Sequence, residues 1–510
     1  MKPRDLKFVV LTAPIAMLAA CTVGPNYVRP PVAAPAAYKE AGNWKPAEPR
    51  DDAHRGKWWD IFQDPMLDTL MQQVDVSNQN LAKAEAQYRQ AVALAQSARA
   101  AYYPTVTGGL SNTRSRASAT TIATPTTAPV SRGVVVNHNL PLQASWAPDV
   151  WGNIRRAVEA NEAAAQASAG DLEAARLSAQ AALAQSYYQL RALDAQQKNI
   201  EDTIAAYSKS LQLVQNQYAA GVVAKADVIT AQAQLKTTQA QAIDLGVQRA
   251  QLEHAIAMLI GKPASGFSLA RAPLLAVPPA IPAALPSALL ERRPDIAAAE
   301  RRMQQANAQI GVAEAAWFPA LSLSGAVGLQ SATLVDWMTA PSRFWSFGTS
   351  LSQILFNGGL RQAAKDQAIA AYDANVAAYR QAVLGGFQQV EDNLATLRIL
   401  EQEAEVQGEA VKLSEQSLAL ALNQYKAGTV SLVNVVVAQA SALANQTNAV
   451  GILSRRMSAS VQLVSALGGG WNAADLASHD ARQAAAAKGA GGPARQPAAP
   501  PRAPQSLRLR

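Results

Sequence analysis

The 510-residue sequence has one cysteine, Cys21, and four scattered histidines, His54, His138, His254 and His479. A single thiol excludes an intramolecular disulfide and a cysteine-built metal cluster. The histidines show no metal-ligand spacing such as HxxxH. Charged residues make up only 16% of the chain and aromatics 6%, too little charge for a disordered polyelectrolyte. There is no GxSxG, no Walker loop, and no GxGxxG opening a helix after a strand. With neither nucleophile, metal cluster nor cofactor cradle, the expectation is a non-enzyme without a cofactor, and acidic pairs such as Glu201-Asp202 and Glu391-Asp392 read as solvated helix faces. The formal net charge of +8 is confined to the ends: residues 1–20 carry a net +2 and residues 481–510 a net +6, leaving 21–480 neutral. A nucleic-acid partner therefore has no electrostatic support.

What the chain has is Ala, Gln, Leu and Val, with 49% hydrophobic residues. Residues 1–20 read as an export signal: basic Lys2, Arg4 and Lys7, then an apolar stretch from Phe8 to Ala20, interrupted by Pro14 and too short to span a bilayer of about 30 Å. Leu18-Ala19-Ala20-Cys21 matches a lipobox. Cleavage before Cys21 and its acylation would anchor the chain in lipid, since two or more acyl chains hold a protein stably. Thr22, rather than an Asp, follows Cys21, so the outer membrane is the expected destination.

The chain repeats itself. Residues 210–233 (SLQLVQNQYAAGVVAKADVITAQA) and 417–440 (SLALALNQYKAGTVSLVNVVVAQA) are identical at 13 of 24 positions, at a constant offset of 207 that also relates Gly152 to Gly359. The first repeat is assigned to 66–261 and the second to 291–470. They follow an extended segment, 21–65, and are joined by a Pro-rich linker, 262–290. In the first, a helix over 66–102 opens at Asp64-Pro65. Strand-like segments at 104–113 and 136–150 flank a Ser/Thr/Pro loop. A proline-free run of 67 residues, 152–218, predicts a helix about 100 Å long, broken at Gly221 and returning over 225–260. The second repeat has a helix over 295–318, strand signals at 320–331 and 344–356, a 67-residue helix over 359–425, a break at Gly428 and a return to Leu467. The lengths suggest that the helices 225–260 and 295–318 stack end to end beside a long helix. Residues 471–510 are Ala/Pro/Arg-rich and read as disordered.

Four short strands per chain cannot bury their own edges. In lipid only a closed barrel solves this, and the smallest bacterial barrels have about eight strands, so at least a dimer is required and a trimer would give twelve. Trp146, Trp151, Trp317, Trp337 and Trp345 lie in or beside the strand regions, where an interfacial aromatic girdle needs them.

Several motifs then resemble a known family. Gly24-Pro25-Asn26-Tyr27-Val28-Arg29-Pro30 is similar to its GPxYxRP, and Trp58-Trp59-Asp60-Ile61-Phe62 with Asp64-Pro65 to its WWxxFxDP. Asp149-Val150-Trp151-Gly152-Asn153-Ile154-Arg155 resembles its strand-to-helix turn. Arg293-Pro294-Asp295-Ile296, Ala299-Glu300, Ala306-Asn307-Ala308-Gln309-Ile310-Gly311 and Phe318-Pro319 form its most specific stretch. By these the chain resembles the TolC-like outer membrane factors, among them the NodT/OprM-type efflux lipoproteins. The resemblance implies an α+β membrane protein: a homotrimer whose 12-stranded β-barrel, four strands per chain, continues into a long periplasmic α-helical barrel. It would be a passive exit duct for drugs or other small molecules, serving a periplasmic adaptor and an inner-membrane RND pump, and held to outer-membrane lipid by Cys21.

The resemblance also implies adaptor docking at the hairpin tips, Gly221, Val222, Gly428 and Thr429. It implies a periplasmic gate in which Tyr425 and Asp227 occupy the family's Tyr and Asp positions. Val430 stands where the family has an Arg, and Asn434 and Val437 where it has acidic residues, so an apolar ring including Val437 is the expected closure, with weaker cation selectivity. Competing readings are the channel of a type I secretion system and a lipid-anchored periplasmic coiled-coil scaffold or adaptor.

Overall fold

The computed structural model describes residues 22–31, 35, 37–41, 57–116, 134–274, 277–279, 281 and 292–471. The signal segment, Cys21, residues 275–276, 280 and 282–290 of the expected linker and all but the first residue of the basic tail lie outside these. The helices are α1 (Pro65–Ser77), α2 (Gln79–Ala100), α3 (Asn153–Ala219), α4 (Lys225–Leu259), α5 (Pro294–Ala315), α6 (Leu360–Lys426) and α7 (Leu432–Ala466), and the strands are β1 (Thr105–Gly108), β2 (Ser111–Ser115), β3 (Val135–Trp146), β4 (Ala320–Ser331) and β5 (Arg343–Ser352).

Local chemistry sets the ends of these elements. The Asp64 carboxylate caps α1, accepting from the Met66 and Leu67 amides at 3.0 and 3.1 Å, with Pro65 at the first helical position. The single helix expected over 66–102 is instead two, because the Asn78 side-chain oxygen accepts from the Asn80 and Leu81 amides and starts α2 afresh. The two long helices run 67 residues each and start after Gly152 and Gly359, both in the left-handed region (φ 83° and 88°). Gly152 has no capping side chain, and the Asp149 carboxylate substitutes by accepting from the Ile154 and Arg155 amides at 2.9 and 3.0 Å.

The helices pack as four columns. α3 touches α2, α4, α5 and α7, while α6 touches α5 and α7. The end-to-end stacking expected for 225–260 and 295–318 is not what occurs. The Asn78 amide donates to the Leu259 carbonyl at 2.7 Å, so the end of α4 meets the start of α2. Arg293 donates to the Ala466 carbonyl at 3.1 Å, so the end of α7 meets the start of α5. Each short helix thus extends the return helix of its own repeat, and the column order is α2 with α4, then α3, then α5 with α7, then α6. Gly261 (φ 70°) and Gly468 (φ 96°), 207 residues apart, make these junctions possible. A Cβ on either would lie 2.2 Å from the Ser77 carbonyl oxygen or 2.0 Å from that of Arg292.

The main core lies where α1, α3, α4 and α7 converge, around Trp58, Trp59, Phe62, Met71, Leu183, Tyr188, Ile256 and Val461. The Trp58 indole donates to Gln180 at 3.0 Å and that of Trp59 to Asp68 at 2.9 Å, so this tryptophan pair is buried with both polar handles satisfied.

All strand pairs are antiparallel, in the order β1/β2, β3, β4, β5. β1 and β2 share one register on β3, with Thr105 opposite Ser145 and Ser115 opposite Val135. They are one strand interrupted at Gly109. There the Gly109 amide donates to the Pro141 carbonyl at 3.0 Å, but Pro141 has no N–H to return the bond. The five strand segments therefore make four strands.

Candidate channel wall and hairpin tips

Ladder register sorts the sheet into two faces. One face carries the cross-strand rows Val106, Ala144, Gly325, Phe347 and Gly108, Leu142, Val327, Trp345, continued by the pair Leu321 and Leu351. The other carries Thr105, Ser145, Ser324, Gly348 and Thr107, Gln143, Ala326, Ser346, continued by Ser322 and Ser350. The apolar face is uncovered in the single chain: Trp345 is 80%, Phe347 70% and Leu351 68% exposed. The charged side chains within the strands are Arg114 and Arg343, both near one end of the sheet. Trp146, Trp151 and Trp317 lie at the opposite, helix-facing end, where the Trp146 indole donates to the Tyr102 carbonyl and that of Trp151 to the Pro319 carbonyl. Trp337 and Trp345 lie towards the far end, so aromatics stand at both rims. Among the described residues no helix is long and apolar enough to cross a membrane.

Residues 22–31 form a strap over three helices. The Val23 amide donates to the Trp151 carbonyl at 3.1 Å, and Thr22 lies against Gly152. Arg156, almost wholly buried, donates to the Val23 and Gly24 carbonyls at 3.2 and 2.9 Å and to the Asn26 side chain at 2.8 Å. Asn307 donates to the Pro25 carbonyl at 2.9 Å, and Arg29 reaches the Tyr379 hydroxyl at 3.0 Å. Gly24 (φ 93°) sits so close that a Cβ there would lie 2.4 Å from the Gly311 Cα. This geometry explains why the Gly24-Pro25-Asn26 and Ala306–Gly311 stretches are built as they are. Cys21 lies outside the described residues.

Both hairpin tips turn the same way. Gly221 (φ 72°) and Gly428 (φ 75°) follow the long helices, and the Val222 and Thr429 amides donate back to the Gln217 and Gln424 carbonyls at 2.9 and 3.0 Å. A Cβ on either glycine would meet nothing within 4 Å, so backbone conformation, not crowding, requires glycine. Val222 is 70% exposed and Thr429 exposed.

Behind the tips, Tyr425 is buried with Val214, Ala231, Leu432 and Val435, and Val430 packs at the edge of this cluster. The Tyr425 hydroxyl donates to Gln217 Oε1 at 2.7 Å rather than to Asp227. Burial, and secondarily the Asp227 charge, push its pKa above the ordinary tyrosine value, so it stays a donor. Asn434 and Val437 lie exposed on α7. The structure thus gathers Tyr425, Val430 and Asp227 at one cluster and sets Asn434 and Val437 on a free face. Sequence reasoning missed Gln217, as well as the 3.4 Å bond from Gln439 on α7 to Ser210 on α3. The offset of 207 was the available signal, since Gln217 recurs as Gln424 and Ser210 as Ser417. Among the described residues no group of His, Cys, Asp and Glu could hold a metal ion.

The chain matches the family model described as outer membrane efflux protein over residues 70–262 and 285–469. It is 30% identical to the pyoverdine export outer membrane protein OpmQ of Pseudomonas aeruginosa, over 92% of this chain and 98% of that one. To nodulation protein T of Rhizobium leguminosarum bv. trifolii it is 28% identical, again over 92% of this chain and 98% of that protein. Of solved structures, the outer-membrane channel OprN superposes with a TM-score of 0.82 at 30% identity, covering 88% of this chain and 100% of OprN.

Proposed function

Because the chain belongs to the outer membrane efflux protein family, we propose that three copies of it form the exit duct of a tripartite RND-type efflux system, passing drugs or other small molecules out through the outer membrane. The observation that carries this reading is the open sheet. It has an exposed apolar face, a face of small neutral hydroxyls and amides, and, among the described residues, two edges without a partner strand. β5 runs antiparallel to β1/β2, so the β5 edge of one copy can pair with the β1/β2 edge of the next in the same sense as every pair within the chain. Three copies then make twelve strands, apolar towards lipid and polar towards the lumen.

The helix columns lie in the same order as the strands, and twelve of them would continue the wall as a periplasmic tunnel. In this reading Cys21 is acylated, and the strap would hold it at the barrel's periplasmic rim. Gly221, Val222, Gly428 and Thr429 are the surfaces offered to a periplasmic adaptor, and Asp227, Tyr425, Val430, Asn434 and Val437 form the gate region. Electron microscopy of the detergent-extracted, full-length protein tests the assembly: hollow, three-fold particles with a tunnel well over 100 Å long are expected. A solid rod, or a monomer without a barrel, would overturn it. For the RND assignment, co-purification with an adaptor and pump, lost on mutation of the tips, is the expected result.

A further inference from the structure

Charge is almost absent from the sheet, and what there is has one sign, one face and one end. The stretches 103–148 and 316–356, which hold every strand, contain the arginines Arg114, Arg116, Arg132 and Arg343 and a single acid, Asp336. Within the strands only Arg114 and Arg343 are charged. Ladder register fixes the face they belong to. Arg114 stands opposite Val136, which alternates onto the same side of β3 as Leu142, and Arg343 stands opposite Leu329, on the same side of β4 as Val327. Both therefore project from the apolar face, at the end of the sheet away from the helices. Both are exposed, and among the described residues neither has an ion-pair or hydrogen-bond partner for its side chain. Asp336 does not neutralise them, since its carboxylate accepts from the Thr333 hydroxyl at 2.7 Å within its own loop.

An arginine on a lipid-facing surface is costly unless it sits near the interface and meets a counter-charge there. Here each heads a column that runs from charge to apolar surface. Down β5 the same face carries Arg343, Trp345 and Phe347, the last two 80% and 70% exposed. Down β2 and β1, which share one register, it carries Arg114 and Asn112, then Leu110 and Val106, 71% and 59% exposed. The two middle strands have no such column. At that end His138 of β3 is buried, with the Trp337 ring 5.7 Å from its own, and β4 finishes at Ser331. The columns thus stand on the two edge strands, and each has the order of an anionic lipid: a charge for the headgroup, an aromatic or amide at the interface, and an apolar track for acyl chains below.

We infer that Arg114 and Arg343 bind the phosphate groups of a phosphorylated glycolipid of the outer leaflet, whose acyl chains lie along Trp345 and Phe347 and along Leu110 and Val106. This rests on the outer-membrane duct proposed above, in which the β5 edge of one copy meets the β1/β2 edge of the next and sets the two columns side by side. A glycolipid with two phosphates then answers both arginines. The outer leaflet follows from their place at the end of the barrel opposite the helices. The polar face of the strands carries no charge at all, so the site faces lipid and not the cargo path.

Native mass spectrometry of the full-length protein in mild detergent, titrated with lipid A, tests the site. Saturable binding is expected. Arg114→Gln and Arg343→Gln should each weaken it about fivefold, the contribution of one basic residue at an anionic surface, while Arg114→Lys and Arg343→Lys should stay within about twofold of the wild type. Arg89→Gln, which removes an exposed charge on α2, should leave the affinity unchanged. Lipid A stripped of its phosphates should bind weakly and without distinguishing the glutamine variants from the wild type. Three-fold particles whose binding ignores both glutamine substitutions would overturn the site and leave the duct standing. Equally tight binding of phosphatidylglycerol would overturn the glycolipid as its occupant. Monomeric particles would overturn the duct and the site with it.

Discussion

Asp194 shows what a single charge can hold in this fold. Its carboxylate is 2% exposed, yet it accepts from Arg191 at 2.9 Å and Arg249 at 2.8 Å. The same arginines donate to the Ala270 and Leu269 carbonyls at 2.7 and 2.6 Å, fastening the chain after α4 onto the first hairpin. Asp194→Asn leaves the buried Arg191 guanidinium without its counter-charge, while Arg249 keeps Glu253 at 3.3 Å, and removing one partner of a buried pair typically costs about 3–5 kcal/mol. The expected result is a lower thermal midpoint in detergent with earlier proteolytic cleavage within 262–274; an unchanged midpoint would show that the carbonyls suffice. Tyr187 gives a pH-dependent case. Its hydroxyl donates to Asp64 at 2.7 Å, and burial first, then that hydrogen bond, raise its pKa to about 12. The folded value lies above the ordinary one near 10, so the neutral phenol favours folding. Its contribution is complete below about pH 10 and disappears as pH rises towards 12. Thermal melts across that range should fall more steeply for the wild type than for Tyr187→Phe, and parallel curves would refute the assignment.

At the scale of elements, Asn78 joins two helices with one side chain, its oxygen capping α2 and its amide closing the last turn of α4. Asn78→Ala should lose the cap, about 0.5–2 kcal/mol, together with the bond to Leu259. Asn78→Ser should recover part of the cap without the bond, so its stability should lie between those of Asn78→Ala and the wild type while hydrogen exchange at 256–260 stays fast in both variants. This junction also marks the limit of what the sequence discloses. The long helices were legible to within a residue or two, since proline-free runs bounded by Gly152, Gly221, Gly359 and Gly428 leave few alternatives. Their stacking was not, because length fits several partners equally well and the deciding contacts, Asn78 to Leu259 and Arg293 to Ala466, join residues about 180 positions apart. The interruption of the first strand was also hidden, since it arises from Pro141 on the opposite strand. At the proposed gate, Tyr425 was singled out through the family pattern, whereas Gln217 carries no motif and shows itself only through its bond to that tyrosine.

At the scale of the whole molecule, strands and helix columns share one order, so in the proposed assembly the closure that satisfies the sheet edges would also continue the helix wall from one copy to the next. What such a wall lets through depends on the charge it presents. The polar face of the sheet carries Thr, Ser and Gln, and α7 has no charged residue from Leu432 to Ser454, Arg455 being the first. Val433 and Val437 are 54% and 62% exposed on that helix, with Asn434 between them. If this free face lines the closed end of the duct, apolar side chains hold it shut by dewetting, and no ring of carboxylates concentrates cations there. Val437→Asp places one carboxylate per copy at the constriction. In planar bilayers the variant should show a cation-to-anion permeability ratio above that of the wild type, with the difference shrinking as salt screens the ring, and a larger open fraction, because a hydrated ring cannot dewet. An unchanged ratio would place Val437 off the permeation path and return the gate to Tyr425 and Asp227.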